Sequence, residues 1–295
     1  MRPVPLLACA LLAAGLTGDS GAQTPTIRTD VNLVQLSVRV TDKEGRSVPG
    51  LKKEAFELFV DDVRMPITVF QSEDAPVTAG IVVDNSASMA PKREEVIAAA
   101  TAFAKASNPL DQMFVVHFNS RVWCGLPENV PFTSSVPQLQ EAISRFELGG
   151  TTALYDAIVT GAKQLRMGAY GRNVLLVITD GGDNSSQASF GDVVKAVLNE
   201  GAAIFAIGIF DPADRDADPK LLTQLARATG GEAFFPTDVS EVTRICRQIA
   251  AEIRQAYTIG FTGEDDGKYH RVRVTASDPQ LGSLVVHTRA GYFGK

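Results

Sequence analysis

Cysteine and histidine are scarce in this chain, three of each among 295 residues, and no stretch brings them together at zinc-ligand spacing. A centre built from thiolates and imidazoles is therefore not expected. Excess positive charge is missing too: 28 lysines and arginines face 34 acids, for a net charge of −6. Such a surface does not track phosphates, which argues against a nucleic-acid partner, and nothing draws it to an anionic bilayer. Long apolar runs are also lacking. The apolar stretch from Leu6 to Leu16 is too short to span a membrane and no later segment is a better candidate, so the mature chain is expected to have no transmembrane segment. There is no internal repeat and no low-complexity tract.

What the chain does have is ordinary globular composition, 45% hydrophobic and 21% charged, enough for one sizeable core and a smaller one. It opens with Arg2, the apolar stretch Leu6 to Leu16, and the small residues Ser20-Gly21-Ala22 before Gln23. That is the plan of a secretory signal peptide over residues 1–22, with cleavage near Ala22, and it implies a secreted or periplasmic protein. "LLAC" at Cys9 has the look of a lipoprotein box, but apolar residues continue past it and lipidation is not expected. Cleavage would leave Cys124 and Cys246, which either pair or sit apart as two small buried residues.

Three regions differ in texture. Over residues 30–75, Val34, Leu36, Val38 and Val40 alternate with Gln35, Ser37, Arg39 and Thr41, and a second alternating run passes through Phe56, Leu58 and Val60. Residues 257–295 behave likewise: Tyr257, Ile259 and Phe261 alternate, as do Val272 and Val274 with Arg271 and Arg273. These read as half-buried antiparallel strands, too few at either end to bury a face alone. Together they are expected to form one small β-sandwich-like domain from both termini.

Between them, residues 77–256 alternate continuous apolar strands ("AGIVVD", "QMFVVHF", "NVLLVITD", "AAIFAIGIF") with amphipathic helices such as "APKREEVIAAATAFAKAS" and "ALYDAIVTGAKQL". Uninterrupted Val/Ile runs belong to strands covered on both faces. The pattern predicts an α/β fold with a doubly wound, mostly parallel, Rossmann-like sheet.

The stretch "GIVVDNSASM", residues 80–89, carries the chemistry. An apolar strand stops on Asp84, and Ser86 and Ser88 follow at alternate positions. A second strand stops on Asp180. In open α/β sheets, ligands bind at the carboxyl ends of strands where the winding reverses. If the two strands are neighbours, two carboxylates meet above the sheet and need a counter-charge. Asp84, Ser86 and Ser88 offer one carboxylate and two hydroxyls, hard oxygen donors suited to Mg2+, Mn2+ or Ca2+. "GGTTALYDAI" offers a further hydroxyl from Thr151 or Thr152 at a helix start.

The D-x-S-x-S run, the Thr before a helix and the strand-terminal Asp together resemble the metal-ion-dependent adhesion site (MIDAS) of von Willebrand factor A domains. The flanking "VTDKEGRSVPGLKKEAFELFVDD" and "RAGYF" look like secreted bacterial relatives of that family. The resemblance implies metal ligation at Asp84, Ser86, Ser88, Thr152 and Asp180, with the hydroxyls bound directly and the acids acting largely through water. Thr152 fits the family phrasing best and Thr151 stays open beside it. A cation held mainly by neutral hydroxyls stays electron-poor, so an Asp or Glu of a protein partner would complete its shell. The function implied is metal-dependent adhesion at the cell envelope. The rival readings are a structural envelope component with a vestigial metal site and, further off, a metal-dependent hydrolase. For hydrolysis the chain shows no D-x-D nucleophile pair outside the acidic loop at 211–219, no G-x-S-x-G elbow and no His near the motif, so it reads as a non-enzyme.

Blander readings attach to other residues. Ser86 and Ser88 are also good helix N-caps. Asp183 in "DGGDN" reads as a solvated turn residue, His117 as a satisfied core or strand-edge residue, and Asn184-Ser185-Ser186 as a glycosylation sequon. "DPADRDADP", residues 211–219, starts like a calcium loop but has Pro219 where Gly is needed and Leu225 where Glu is needed, leaving a solvated acidic loop.

Overall fold

The computed structural model describes residues 32–145, 147–210 and 218–294. The signal peptide over 1–22, Cys9 with its lipoprotein-box likeness, and most of the acidic loop at 211–217 lie outside the described residues.

The N-terminal segment forms β1 (Leu33–Thr41), β2 (Phe56–Val60), β3 (Val63–Met65) and β4 (Val69–Gln71). The chain then alternates strands and helices: β5 (Thr78–Asp84), α1 (Arg93–Ala106), β6 (Gln112–Phe118), β7 (Val122–Cys124), α2 (Val136–Ser144), α3 (Leu154–Leu165), β8 (Asn173–Thr179), α4 (Phe190–Asn199), β9 (Ala202–Gly208), α5 (Pro219–Thr229), β10 (Ala233–Phe234) and α6 (Val242–Arg254). It closes with β11 (Tyr257–Thr262), β12 (Tyr269–Asp278), β13 (Gly282–Ser283), β14 (Val285–His287) and β15 (Gly291–Phe293).

The middle segment makes one sheet in the order β10-β9-β8-β5-β6-β7, parallel except for β7. Every residue of β5, β8 and β9 is buried, as their unbroken apolar runs require when helices cover both faces. Gly80 lets β5 approach its neighbours: a Cβ there would lie 2.4 Å from the Phe114 ring and 2.7 Å from Leu175. The fold is thus the α/β arrangement with a mostly parallel sheet that the sequence predicts.

The terminal strands form two antiparallel sheets, β14-β1-β11-β4 and β13-β12-β2-β3, with β15 added to β12. They share a second hydrophobic core in which Leu36, Val38, Ile259 and Phe261 from one sheet meet Leu58, Val60, Val272 and Val274 from the other. The Tyr257 hydroxyl, donating to Val48 O at 2.7 Å and accepting from Leu51 N at 2.9 Å, ties the first long loop into this core.

The alternation in β1 is only half of its story. Arg39 and Thr41, read as the polar outer face, are buried. That face packs on the parallel-sheet body, where the Arg39 guanidinium pairs with Glu252 of α6, reaches Glu232 at 3.3 Å and lies over the Phe205 ring at 4.9 Å. Two more buried arginines use backbone carbonyls in the same junction. Arg289 donates to Leu198 O at 2.9 Å and Gln35 O at 3.0 Å, and Arg172 donates to Ala75 O and Ile253 O. Burial pulls the Arg289 guanidinium down to about 10.

The two cysteines of the sequence reading are unpaired. Cys246 is buried in α6, where burial pushes its thiol up to about 12, whereas Cys124 is exposed on the edge strand β7. The picture of two small buried residues therefore holds for Cys246 alone.

Arg39 and Glu252 are only 6% and 9% exposed at the side chain, so removing one strands the other in a dry junction. Arg39→Ala is expected to cost about 3 kcal/mol or more in chemical denaturation. Arg39→Met combined with Glu252→Leu should recover most of that loss; a double variant as unstable as the single one would contradict this view of the junction.

Candidate metal centre

The register of β5 against β8 sets the geometry. Ile81 faces Leu176 and Val83 faces Ile178, so Asp84 falls level with Thr179 and Asp180 comes one residue later. The two strands are central neighbours, and their terminal carboxylates emerge side by side above the sheet. Asp84 is 2% exposed and Asp180 1%. Thr179 Oγ1 donates to Asp84 Oδ2 at 2.6 Å, and the Ser86 amide donates to Asp84 Oδ1 at 2.8 Å. Burial pushes the Asp84 carboxyl up to about 6 against these two hydrogen bonds, and the charge of Asp180 adds to the rise.

Ser86 leads into a 3-10 segment, Ala87–Lys92, that precedes α1. Neither the 3-10 segment nor α1 has a side-chain cap, so the N-cap explanation for Ser86 fails. The serines instead link the two acids. Ser86 Oγ and Ser88 Oγ lie 3.2 Å apart, and Ser88 Oγ donates to Asp180 Oδ1 at 3.0 Å. Ser88 is exposed, which opens the cluster to solvent, while Met89 beside it is buried and anchors the turn. The sequence reading missed Lys92. Its ammonium donates to Asp180 Oδ2 at 2.7 Å and to Ile209 O at 2.9 Å. At the end of the 3-10 segment it reads as a solvated lysine, and only the fold brings Asp180 within its reach.

Thr152 lies in the loop before α3. It is buried, whereas Thr151 is exposed. Gly149 and Gly150, at φ +126 and +80, turn the chain into this loop, a conformation L side chains rarely adopt. Asn184 clasps Thr152 from both sides, accepting from Thr152 N at 2.8 Å and donating its own amide to Thr152 O at 3.0 Å. The hydroxyl faces the backbone after Asp180: a Cβ built on Gly181 would sit 3.9 Å from Thr152 Oγ1. Asp84, Ser86, Ser88 and Asp180 therefore form one hydrogen-bonded chain, and Thr152 lies near Gly181, the residue after Asp180.

Two neighbouring residues have structural duties that the sequence did not reveal, and His117 has the core role expected of it. Asp183 is half-buried rather than a solvated turn residue, accepting from Tyr155 N, at the start of α3, at 3.1 Å and from Ser186 Oγ of its own loop. The sequon residue Asn184 uses its side-chain oxygen to clamp Thr152. His117 is fully buried, as a satisfied core residue should be. Its Nε2 donates to Ala142 O at 2.8 Å, leaving Nδ1 to accept from Asn85 Nδ2 at 3.0 Å. Asn85 is the residue between Asp84 and Ser86, so His117 braces the turn from below.

Among the described residues no group of three or more His, Cys, Asp and Glu side chains is placed to hold a metal ion. The donor set is two carboxylates and three hydroxyls, all hard oxygens. That chemistry fits Mg2+, Mn2+ or Ca2+ better than a soft or nitrogen-seeking metal.

A family model described as von Willebrand factor type A domain matches residues 80–248. No curated protein matches the chain. Among solved structures, a von Willebrand factor type A protein from Catenulispora acidiphila superposes with a TM-score of 0.54 at 15% identity, covering 90% of this chain and 75% of that one. Proximal thread matrix protein 1 from the mussel byssus, solved with a zinc-occupied MIDAS motif, gives 0.50 at 17% identity over 61% of this chain and 48% of that one. The protein BatB from Bacteroides thetaiotaomicron gives 0.50 at 16% identity over 60% of this chain and 98% of that one.

The raised carboxyl of Asp84 has a consequence for the metal-free protein. Between its ordinary value of 3.8 and about 6, the folded protein keeps a proton that the unfolded chain has released. This group's contribution is therefore fully favourable below 3.8 and is lost as pH rises through 6. Asp84→Asn should stabilise the metal-free protein at pH 7.5 by on the order of 2 kcal/mol, with the difference vanishing near pH 4. Melting curves across that range, in chelator, check it; parallel pH profiles for the two proteins would contradict it.

Proposed function

The chain belongs to the von Willebrand factor type A domain family, and from that membership we propose that it is a metal-dependent protein-binding module of the adhesion type, acting outside the cytoplasm at the cell envelope. The observation that carries this reading is the hydrogen-bonded run Asp84, Ser86, Ser88, Asp180, two buried acids linked by hydroxyls that cap no helix. Ser86, Ser88 and Thr152 would hold a divalent cation, Mg2+ or in its place Mn2+ or Ca2+, with Asp84 and Asp180 behind them. Bound there, the cation supplies an electrophilic position for an Asp or Glu side chain of a protein partner. The chain's own residues do the rest. Thr179 and the Ser86 amide orient Asp84, Asn184 fixes Thr152, and the His117–Asn85 contact keeps the turn from collapsing.

A hydrolytic reading is less well supported. Both nitrogens of His117 are engaged, with Asn85 and with Ala142 O, so this imidazole is not poised as a base for Ser86 or for water. The boundaries of a separate β-domain over 30–75 and 257–295 belong to the proposal as well. Among the described residues no helix is long and apolar enough to cross a membrane, and export rests on the N-terminal sequence alone.

Titration calorimetry tests the site. The wild-type protein should take up one equivalent of Mg2+ or Mn2+, and the double variant Ser86→Ala/Ser88→Ala, folded by circular dichroism, should take up none. Capture of an acid-bearing protein partner should then require the metal, disappear in chelator and disappear in the double variant. Wild-type protein that takes up no divalent cation at millimolar concentration would instead favour the vestigial, structural reading.

A further inference from the structure

Lys92 stands where the charge balance of the site is decided. Asp84 and Asp180 bring two negative charges into a nearly dry pocket, and Lys92 returns one positive charge by direct contact with Asp180 Oδ2 at 2.7 Å. The lysine side chain is 18% exposed, so the ammonium is largely withdrawn from water to make this contact. Its second bond, to Ile209 O at 2.9 Å, anchors it to the segment that follows β9. The same carboxylate receives Ser88 Oγ on its other oxygen. One face of Asp180 therefore looks toward the serine hydroxyls and the other is covered by a tethered cation.

A divalent ion beside Ser88 and Asp180 would meet that ammonium at short range. With both present the pocket carries a net positive charge, and with the lysine withdrawn the divalent ion alone neutralises the two acids. Like charges in a buried setting interact far more strongly than in water, so double occupancy is disfavoured. Lys92 has a flexible four-carbon stem and a compact ammonium, and it needs only side-chain rotation to leave. In the metal-free protein it has the opposite effect, stabilising a pair of acids that would otherwise repel.

We propose that Lys92 is an intramolecular surrogate cation, holding the Asp84–Asp180 pair in the metal-free state and excluded from Asp180 by the divalent ion. This rests on the metal-binding reading above and adds to it a residue that sets how tightly the ion is held. The metal's affinity is reduced by the cost of displacing the lysine, and the released ammonium leaves the carboxylate that bound it.

Calorimetric titration of MnCl2 into wild type, Lys92→Gln and Lys92→Arg tests this, together with mass-spectrometric measurement of amine labelling at Lys92. Lys92→Gln should bind Mn2+ at least about tenfold tighter than wild type, within the usual range of coupling between two sites. Its metal-free form should melt below wild type and rise further on adding Mn2+; if it unfolds without metal, Mn2+ should restore its circular dichroism spectrum. Lys92→Arg, which keeps the charge, should bind no tighter than wild type. Labelling of Lys92 in the wild type should accelerate when Mn2+ is added. Equal Mn2+ affinity in wild type and Lys92→Gln, or labelling unchanged by Mn2+, overturns the surrogate role while leaving the metal site standing. Binding by neither protein overturns the metal site and the surrogate role with it.

Discussion

Two carboxylates lie side by side at the ends of neighbouring strands, almost out of contact with water, and the organisation of the site follows from the need to neutralise them. Asp84 and Asp180 arrive together because β5 and β8 are adjacent and in register, which places one acid level with Thr179 and the other just beyond it. Each oxygen then acquires a partner. Thr179 and the Ser86 amide serve Asp84, and Ser88 and Lys92 serve Asp180. Hydrogen bonds satisfy the oxygens but do not cancel the charge, and burial still raises the Asp84 carboxyl. A site in that condition favours a cation; Lys92 supplies one from within, and the proposed metal would supply one from outside.

The sheet edge is also why the surrounding loops are so heavily tied down. Gly149 donates to Asn85 O, Ala153 to Asn119 O and Asn184 to Thr152 O, so the loops after β5, β6 and β8 are laced together around the acids. His117 works from beneath, bridging Asn85 to the end of α2. At the opposite side of the body, the junction with the terminal strands is held by arginines rather than by apolar contact alone. Arg39 reaches from β1 to α6, and Arg289 and Arg172 bond carbonyls across the same seam. The terminal sheets are thereby fixed to the α/β body through directional, charged contacts.

Much of this was readable from residue order. Unbroken runs such as Ile81-Val82-Val83 can be buried only in a two-sided sheet, and two of them ending on Asp, at 84 and 180, pointed to adjacent strand ends. Alternation in Val34 to Val40 and in Val272 and Val274 gave the antiparallel strands. What escaped was whatever depends on which surface a polar side chain meets. Arg39 occupies the outward position of its strand, and only the packed structure shows that outward means toward α6. Lys92, at the start of a helix, reads as solvated until the fold places Asp180 within reach. Asp183 and Asn184 read as turn and sequon residues because their partners, Tyr155 at the start of α3 and Thr152 in the loop before it, lie more than twenty residues away. Thr152 and Thr151 are equivalent in the residue pattern and are separated by burial.

The central claim is that oxygens from three chain segments are arranged for one divalent cation, with a lysine in attendance when the cation is absent. Anomalous diffraction from crystals of the protein grown with MnCl2 tests it most directly. The account predicts a single strong manganese peak bounded by Ser86, Ser88 and Thr152, with the Lys92 ammonium no longer on Asp180. Crystals showing no peak there, with Lys92 still bonded to Asp180 at saturating manganese, would contradict it.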